Sequence, residues 1–240
     1  DCEWGIFDYS QQEPRLVVHY ASLRHFTGAG KFVDSYQEDE TTDFHTMVSE
    51  MADIPRKQAK TINLGLFYGM GKGKLMSQLG VNLETASELL ASYNERVPFV
   101  KQLMNDTMNK AGKKGYLSTL EGRRCRFDQW EPTNEWGQKS LPLAEAQQQY
   151  GEHMIKRAWT YKALNRLIQG SAADQTKKAM LELDKEGYLA HIQVHDELDF
   201  SVASDADKAK IKDIMENCVE LAVPSKVDVE CGDNWGDAGD

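Results

Sequence analysis

The chain has 240 residues, of which 40% are hydrophobic and 28% charged, and its formal net charge is −10. This balance is typical of a globular protein and excludes a disordered or fibrous chain. Its apolar runs are all shorter than the roughly 18 residues of a membrane span, and no secretory signal opens the sequence. We therefore expect no membrane partner.

Two features bear on the origin of the chain. Its first residue is Asp1 rather than Met, which indicates a fragment or a processed product. The four cysteines form no CxxC pair and are predicted to be free thiols of a reducing cytosol; they are Cys2, Cys125, Cys218 and Cys231.

The charges are segregated along the chain. Residues 1–55 hold 3 basic and 11 acidic groups, and residues 179–240 hold 5 basic and 16 acidic groups. Between them, residues 56–83 hold five basic groups and no acid, and residues 110–126 and 153–178 each balance at +5. A polyanion could bind this basic middle while the acidic ends bind cations. The alternative is that each block is an ordinary solvated helix face.

The predicted elements begin with a strand and continue with helices. A short strand over residues 2–7 ends at Asp8. A helix is expected from Pro55, whose missing N–H costs nothing in a first turn, to about Tyr68. The glycines that would end this helix are Gly69, Gly71 and Gly73.

The middle of the chain is predicted to be mainly helical. The expected helices cover residues 83–96, 98–111 and 143–186. The last of these is expected to break or kink near Gly151 and Gly170. Residues 116–140 are predicted to be irregular or to form a hairpin, because turn-type residues recur in them.

Alternation of apolar and polar residues returns in the last quarter. Residues 191–202 alternate on both sides of a charged tip at residues 195–197, which predicts a β-hairpin. An amphipathic helix capped by Ser204 and a final strand at residues 227–231 follow. Strands at both ends with helices between them predict an α+β fold, an antiparallel sheet with a large helical insertion.

Two acids lie at predicted strand ends. Asp8 closes the first strand, and Asp196 lies at the hairpin tip. If these strands are neighbours in one sheet, the two carboxylates converge and repel each other unless a cation lies between them. Mg²⁺ binds such hard oxygen ligands and fills its remaining positions with water and substrate phosphates. A simple turn role for each Asp is the alternative.

The helix that follows Pro55 carries a stripe of residues spaced by four: Arg56, Lys60, Leu64 and Tyr68. Each step of four drifts by only about 40° around the helix, so the set shares one face. Two cations followed by an apolar group and an aromatic ring would suit an elongated ligand with phosphates at one end and a base or sugar at the other. The alternative is an ordinary helix with exposed cations and a buried apolar end.

Three ordered segments resemble family A DNA polymerases. Residues 8–15 (DYSQQEPR) are similar to motif A, residues 56–69 (RKQAKTINLGLFYG) to motif B, and residues 193–197 (QVHDE) to motif C. Further stretches resemble the same family, so the likeness extends over nearly the whole chain; they are residues 115–124, 165–170 and 233–235.

The resemblance implies a right-hand polymerase fold without its thumb. Residues 1–35 would form the first part of the palm, residues 36–155 the fingers, and residues 156–240 the second part of the palm. The thumb and any proofreading exonuclease would lie upstream, either truncated or supplied by a partner chain. The implied activity is template-directed DNA synthesis with primer–template DNA and dNTPs as partners, in a bacterial or phage-infected host cytoplasm.

The resemblance also implies the catalytic residues. Asp8 and Asp196, with the backbone carbonyl of Tyr9, would bind two Mg²⁺ ions, for which Mn²⁺ could substitute. Glu197 would be a supporting acid beside the metals. Lys60 would stabilise the departing pyrophosphate.

Binding roles follow by the same likeness. The nucleotide would contact Arg56, Lys60, Leu64, Tyr68, Glu13, His45 and Gln11, with Glu13 as the steric gate against a ribose 2′-hydroxyl. The primer or template would contact Asn165, Gln169, His195 and Arg123.

Two residues depart from the family pattern. Leu64 stands where an aromatic residue usually packs on the sugar of the nucleotide, which affects expectations for rate, fidelity and sugar discrimination. Pro14 replaces an apolar residue, so the first strand is expected to end or bulge sooner.

Two alternatives to an autonomous DNA polymerase remain. The chain could be a DNA-binding fragment or half of a split polymerase that is inactive without an upstream chain. It could also be a single-subunit RNA polymerase, against which Glu13 and Glu197 argue.

Overall fold

Strands from the two ends of the chain meet in one sheet. The computed structural model describes residues 2–70, 72–135 and 137–239. It contains strands β1 (Glu3–Tyr9), β7 (Ile192–Val194), β8 (Glu197–Val202) and β9 (Val227–Gly232). These four pair antiparallel in the order β7-β8-β1-β9, so the first strand lies between strands of the last quarter.

Helices occupy most of the chain between these strands. They are α1 (Gln12–Ser22), α2 (Ala29–Glu38), α3 (Phe44–Ala52), α4 (Arg56–Phe67), α5 (Lys72–Leu79), α6 (Leu83–Arg96), α7 (Pro98–Lys114), α8 (Leu143–Tyr150), α9 (Ala163–Lys185), α10 (Asp205–Asn217) and α11 (Trp235–Ala238).

Two small sheets lie beside the helices. A hairpin is formed by β2 (Tyr116–Ser118) and β3 (Arg124–Arg126). A three-stranded sheet has the order β5-β4-β6, with β4 (Gln129–Pro132), β5 (Leu141–Pro142) and β6 (Ile155–Arg157). A short 3₁₀ helix (Thr160–Lys162) leads into α9.

The two faces of the main sheet differ in chemistry, because successive side chains of a strand point to opposite sides. Phe7 and Tyr9 are buried with Phe200 in a core formed with α9 and α10. Asp8 lies between them on the opposite face, in register with Glu197 of β8. A larger core joins helices α1 to α7 with α9. The sheet is therefore packed on one side and acidic at one end of the other.

The structure confirms the α+β class and most of the predicted elements. Helix α6 has the predicted bounds, whereas α7 continues beyond the predicted end to Lys114, where Gly115 with a positive φ of 76° follows it. The hairpin of β7 and β8 and the final strand are present as predicted. The predicted cap of α10 is also present, since the Ser204 hydroxyl accepts from the backbone N–H of Asp207.

The prediction of a helix broken at Gly170 is wrong. Helix α9 runs through this residue without interruption. A Cβ atom at Gly170 would lie 2.8 Å from the side chain of Thr119, so glycine serves the close approach of the β2–β3 loop to the helix. The break near Gly151 is real, but β6 and the 3₁₀ helix follow it where helix was expected.

The start of the chain holds a helix that the sequence pattern did not predict. Strand β1 ends at Tyr9, and Gln11 adopts a left-handed conformation with φ of 52° that turns the chain into α1. Pro14 lies in the first turn of α1, where its missing N–H costs nothing, so it does not end or distort the strand. Pro55 precedes α4 rather than lying within it.

The end of α4 agrees with one of its predicted stop signals. Helix α4 ends at Phe67, and Gly69 follows with φ of 66°. Gly73 lies inside α5, so it does not end α4. Gly71 lies outside the described residues. Within the described parts of the chain, no helix combines the length and apolarity needed to cross a bilayer.

Candidate active site

The predicted pair of strand-end acids meets at one end of the main sheet. Asp8 is opposite Glu197 in the β1–β8 register, and the backbone N–H of Tyr9 donates to the backbone carbonyl of Asp196 at 3.4 Å. Tyr9 is fixed from the core side, since its hydroxyl donates to the carbonyl of Met215 at 2.6 Å. The sheet therefore joins the start of the chain to residue 196.

The turn between β7 and β8 sets the direction of Asp196. His195 has a positive φ of 54°, which a tight turn requires. The side-chain amide of Gln193 donates to the backbone carbonyl of His195 at 2.7 Å and stabilises this conformation. Asp196 and Glu197 are half-buried, whereas His195 is exposed.

The electrostatics of this end are unfavourable for the bare carboxylates. Burial raises the pKa of Asp8 to about 6, with further contributions from the charges of Asp196, Glu197 and Glu230 in that order of importance. Burial also raises the pKa of Asp196, against the opposing effect of His195. A cation bound here would relieve this repulsion.

The donor set fits a hard divalent cation. Over residues 2–70, 72–135 and 137–239, no group of three or more His, Cys, Asp or Glu side chains is arranged to hold a metal ion. Mg²⁺ does not need such a group, because it commonly binds one or two carboxylates together with water and substrate phosphates. Asp8 and Asp196, with the carbonyl oxygen of Tyr9 that the resemblance implies, would provide that kind of partial shell.

A cleft of about 790 Å³ opens beside Asp196, which is one of its lining residues, whereas Asp8 is not. Tyr68, at the C-terminal end of α4, donates from its hydroxyl to Glu13 at 3.0 Å across the cleft. Burial raises the pKa of Glu13, and the hydrogen bond from Tyr68 opposes this shift. The lining residues include Gln12, Glu13, Tyr68, Gln169, Thr176, Lys177, Gln193, His195 and Asp196.

The cationic stripe of α4 reaches the cleft only through Tyr68. Leu64 is half-buried, and Lys60 and Arg56 are exposed further towards the start of the helix. Arg56 makes an ion pair with Asp43 at 2.6 Å. Within the described residues, Lys60 makes no ion pair. The structure thus places the two cations on one helix but not in the cleft itself.

His45 lies close to these cations. It is buried, and its Nδ1 atom is 2.9 Å from the amide nitrogen of Asn63. The amide oxygen of Asn63 accepts from the hydroxyl of Tyr93 at 2.5 Å. Burial lowers the pKa of His45, and Lys60 and Arg56 lower it further against the opposing effect of Asp43. Burial therefore favours the neutral form of the His45 imidazole, and the contact with Asn63 orients the ring.

Gln11, which was predicted to contact the nucleotide, bonds instead to the protein backbone. Its amide nitrogen donates to the carbonyl of Thr42 at 3.2 Å, and its amide oxygen accepts from the backbone N–H of Phe44 at 2.9 Å. Both ends of the amide are used in joining the end of β1 to the start of α3. Gln11 thereby positions the segment that carries Asp43 and His45.

The four predicted DNA contacts fall into two groups. Gln169 and His195 line the cleft. Asn165, one turn earlier on α9, and Arg123 do not. The guanidinium of Arg123 donates to Asp174 at 2.9 Å and to the carbonyl of Gly170 at 2.8 Å, which holds the β2–β3 loop against α9.

Several residues at the site had no predicted role. Arg15 is buried and donates to the carbonyls of Ser10, Pro224 and Glu40, with its guanidinium 4.6 Å from the ring centre of Tyr36. A charged residue inside the apolar run of α1 was the available signal. This side chain ties the end of β1 to the segment between α2 and α3 and to the segment before β9.

Asp199 is the least expected of these residues. It is fully buried in β8, and neither carboxyl oxygen has a hydrogen-bond donor among the described residues. Burial raises its pKa to about 6, with a further contribution from the neighbouring carboxyl of Glu197. An acid at the centre of an alternating strand was the sequence signal.

Fold and site together define a class of protein. An acidic sheet end, a cleft beside it and a neighbouring helix with exposed cations are features suited to a phosphate-bearing substrate and divalent cations. The chain belongs to the family A DNA polymerases: the family described as "DNA polymerase family A" matches residues 2–237.

Individual relatives agree with this assignment. The chain is 38% identical over 274 residues to a DNA-directed DNA polymerase of Pseudomonas phage M6, covering 97% of this chain and 38% of the relative. It is 32% identical over 248 residues to DNA polymerase I of Bacillus subtilis (strain 168), covering 98% of this chain and 26% of the relative. The chain thus spans well under half the length of these relatives.

A solved structure is also similar. It is the POL domain of Pol1 from M. smegmatis in complex with a DNA primer-template and dNTP, with a TM-score of 0.76 and 29% sequence identity. The match covers 99% of this chain and 41% of that one.

Proposed function

We propose that the chain carries the catalytic centre of a DNA polymerase, which transfers a nucleotide from a dNTP to a primer 3′-hydroxyl as a template directs. The observation that supports this most strongly is the meeting of Asp8 and Asp196 at one end of the sheet, beside an open cleft. We extend the DNA and dNTP partners of the similar Pol1 domain to this chain, and we place it in the bacterial or phage-infected host cytoplasm.

Asp8, Asp196 and the Tyr9 carbonyl would bind two Mg²⁺ ions, with Mn²⁺ as a substitute. Such ions, when bound, stabilise both the attacking and the leaving oxygen of a phosphoryl transfer. Glu197 adds negative charge beside Asp8 and so favours cation binding there.

Lys60, Arg56 and His45 would bind the triphosphate. Among the described residues Lys60 has no ion pair to give up, whereas Arg56 would exchange Asp43 for a phosphate. His45 is neutral and can donate one hydrogen bond without adding charge. Because the cations of α4 lie outside the cleft, we propose that this helix moves towards the nucleotide on binding, as closing lids of enzymes do.

Glu13 and Tyr68 would select the sugar. Their hydrogen bond holds the Glu13 carboxyl in the cleft, where it would fill the space of a ribose 2′-hydroxyl. Leu64 would pack on the sugar with less surface than an aromatic ring. Gln169 and His195 would contact the DNA; Asn165 and Arg123 could join them only by changing their present environment.

Primer extension tests the proposal. We expect template-matched incorporation in the presence of Mg²⁺, and its loss in Asp8→Ala and Asp196→Ala variants that keep the wild-type circular dichroism spectrum. Because the chain spans only part of its relatives, a second arm adds the remaining upstream polypeptide of a relative in trans. Primer extension in the second arm alone would show that the added polypeptide is needed to bind the DNA. No primer extension in either arm would contradict the proposal.

A further inference from the structure

The cleft that Asp196 lines also extends along α9. Its helical wall is formed by residues spaced by four, Gln169, Ala173 and Lys177, which share one face of the helix. The β7–β8 hairpin also lines the cleft, through Gln193, His195 and Asp196. The distance along the helix axis from Gln169 to Lys177 is about 12 Å. The cleft therefore has room for several units of an elongated ligand.

Lys177 differs from every other residue of the lining. It is the one Lys or Arg among the described residues that line the cleft, and its side chain is exposed. Within the described ranges it makes no ion pair, whereas the next residue, Lys178, lies 3.6 Å from Glu182 and 4.0 Å from Glu121. Lys177 thus offers an uncompensated cation to the cleft.

The cleft wall next to Lys177 carries small side chains, so a ligand could approach the helix closely. Ala172 and Ala173 carry only methyl groups, and Thr176 is buried with its hydroxyl bonded to the Ala172 carbonyl at 3.2 Å. A polymer backbone could lie against this surface without displacing long side chains. The ammonium of Lys177, next to this surface, is suited to a phosphate, which it would bind as a point charge.

We propose that Lys177 binds a backbone phosphate of the primer strand, a few nucleotides behind the end at which the next nucleotide is added. The proposal rests on the proposed function, since the primer end is placed at Asp196. Asp196, the hairpin and Lys177 line the same cleft, so a strand that leaves this acid along α9 would come within reach of the Lys177 ammonium. The phosphate contact would carry no sequence preference but would fix the strand in register.

The test compares Lys177→Gln with the matched control Lys178→Gln. Both variants lose one positive charge from adjacent positions of α9, and the exposed ion pairs lost with Lys178 contribute little stability. Equal melting temperatures exclude misfolding. Primer–template affinity is measured by fluorescence anisotropy at several salt concentrations. We expect Lys177→Gln to bind about fivefold more weakly, with a salt slope lower by about 1, and Lys178→Gln to resemble the wild type.

Replacing single DNA phosphates by uncharged linkages then identifies the strand and the phosphate that Lys177 contacts. A single methylphosphonate is placed at successive sites of the primer and, separately, of the template. We expect the difference between Lys177→Gln and wild type to vanish at one primer site. Equal affinities of the two variants, or a difference that vanishes only at a template site, would overturn the proposal.

The outcomes separate this proposal from the catalytic one. DNA binding that depends on Lys177 in a chain that does not extend primers in either arm would contradict the catalytic assignment alone. Primer extension with affinity that does not depend on Lys177 would contradict this inference alone. Failure of the unaltered chain to bind primer–template, both alone and with the added upstream polypeptide, would contradict both.

Discussion

Replacing Asp199 by Asn removes a charge from the centre of the main sheet. The wild-type carboxyl is fully buried, and burial raises its pKa from 3.8 to about 6. The folded protein therefore binds this proton more tightly than the unfolded chain does. Its free energy of unfolding falls as the pH rises from about 4 to above 6, because the buried group must then ionise.

The size of this loss follows from the pKa difference. The difference between a pKa of 3.8 and one of about 6 corresponds to about 3 kcal/mol, and the full loss is reached above pH 7 as an upper limit. The amide of the variant cannot ionise, and it can donate to the neighbouring Glu197. We expect Asp199→Asn to be more stable than wild type by less than about 1 kcal/mol at pH 4 and by up to about 3 kcal/mol at pH 8.

Urea denaturation followed by tryptophan fluorescence at these two pH values measures the effect. In thermal unfolding, a stability gain of about 3 kcal/mol at pH 8 would raise the Tm by roughly 6–12 °C for a chain of this size. Asp184→Asn, at an exposed position of α9, serves as the control and should change stability little at either pH. An Asp199→Asn advantage that is the same at both pH values, or absent at pH 8, would refute the argument from burial.

Three further predictions concern single residues. Gly69→Ala should destabilise the fold by well over the roughly 1 kcal/mol that a positive φ alone costs, because its Cβ would lie 2.6 Å from the Tyr161 carbonyl oxygen. The control is Gly80→Ala, which has a similar φ but open space around the position. Equal losses of stability in urea denaturation would disprove the contact. Glu13→Ala should raise ribonucleotide incorporation relative to deoxynucleotides in primer extension, and unchanged sugar selectivity would remove Glu13 from the gate role. Lys60→Ala should raise the KM for dNTPs far more than the Kd for primer–template, whereas equal losses would move Lys60 to the DNA side.

The sequence predicted the elements whose signals are local. The hairpin at residues 192–202 and helix α6 follow from alternation and from capping residues, which act within a few positions. The meeting of Asp8 with Asp196 needed a further assumption, that the first strand pairs with a late one. The structure supports that pairing, and the roles proposed for the acids remain predictions.

What the sequence did not predict depends on contacts between distant segments. The continuous helix at Gly170 is understood only once the Thr119 side chain is seen beside it. The environments of Gln11 and Arg123 depend on partners 33 and 51 residues away. Lys177 could have been noticed from its spacing of eight from Gln169, but the side of α9 that faces the cleft is set by tertiary packing.

The binding of divalent cations by Asp8 and Asp196 is the central claim, and it can be measured without catalysis. Mn²⁺ is titrated into the chain in the presence of a dNTP, and free Mn²⁺ is followed by electron paramagnetic resonance. We predict specific binding by the wild type and a marked loss of affinity in both Asp8→Asn and Asp196→Asn. Mn²⁺ binding that is the same in all three proteins would contradict the account.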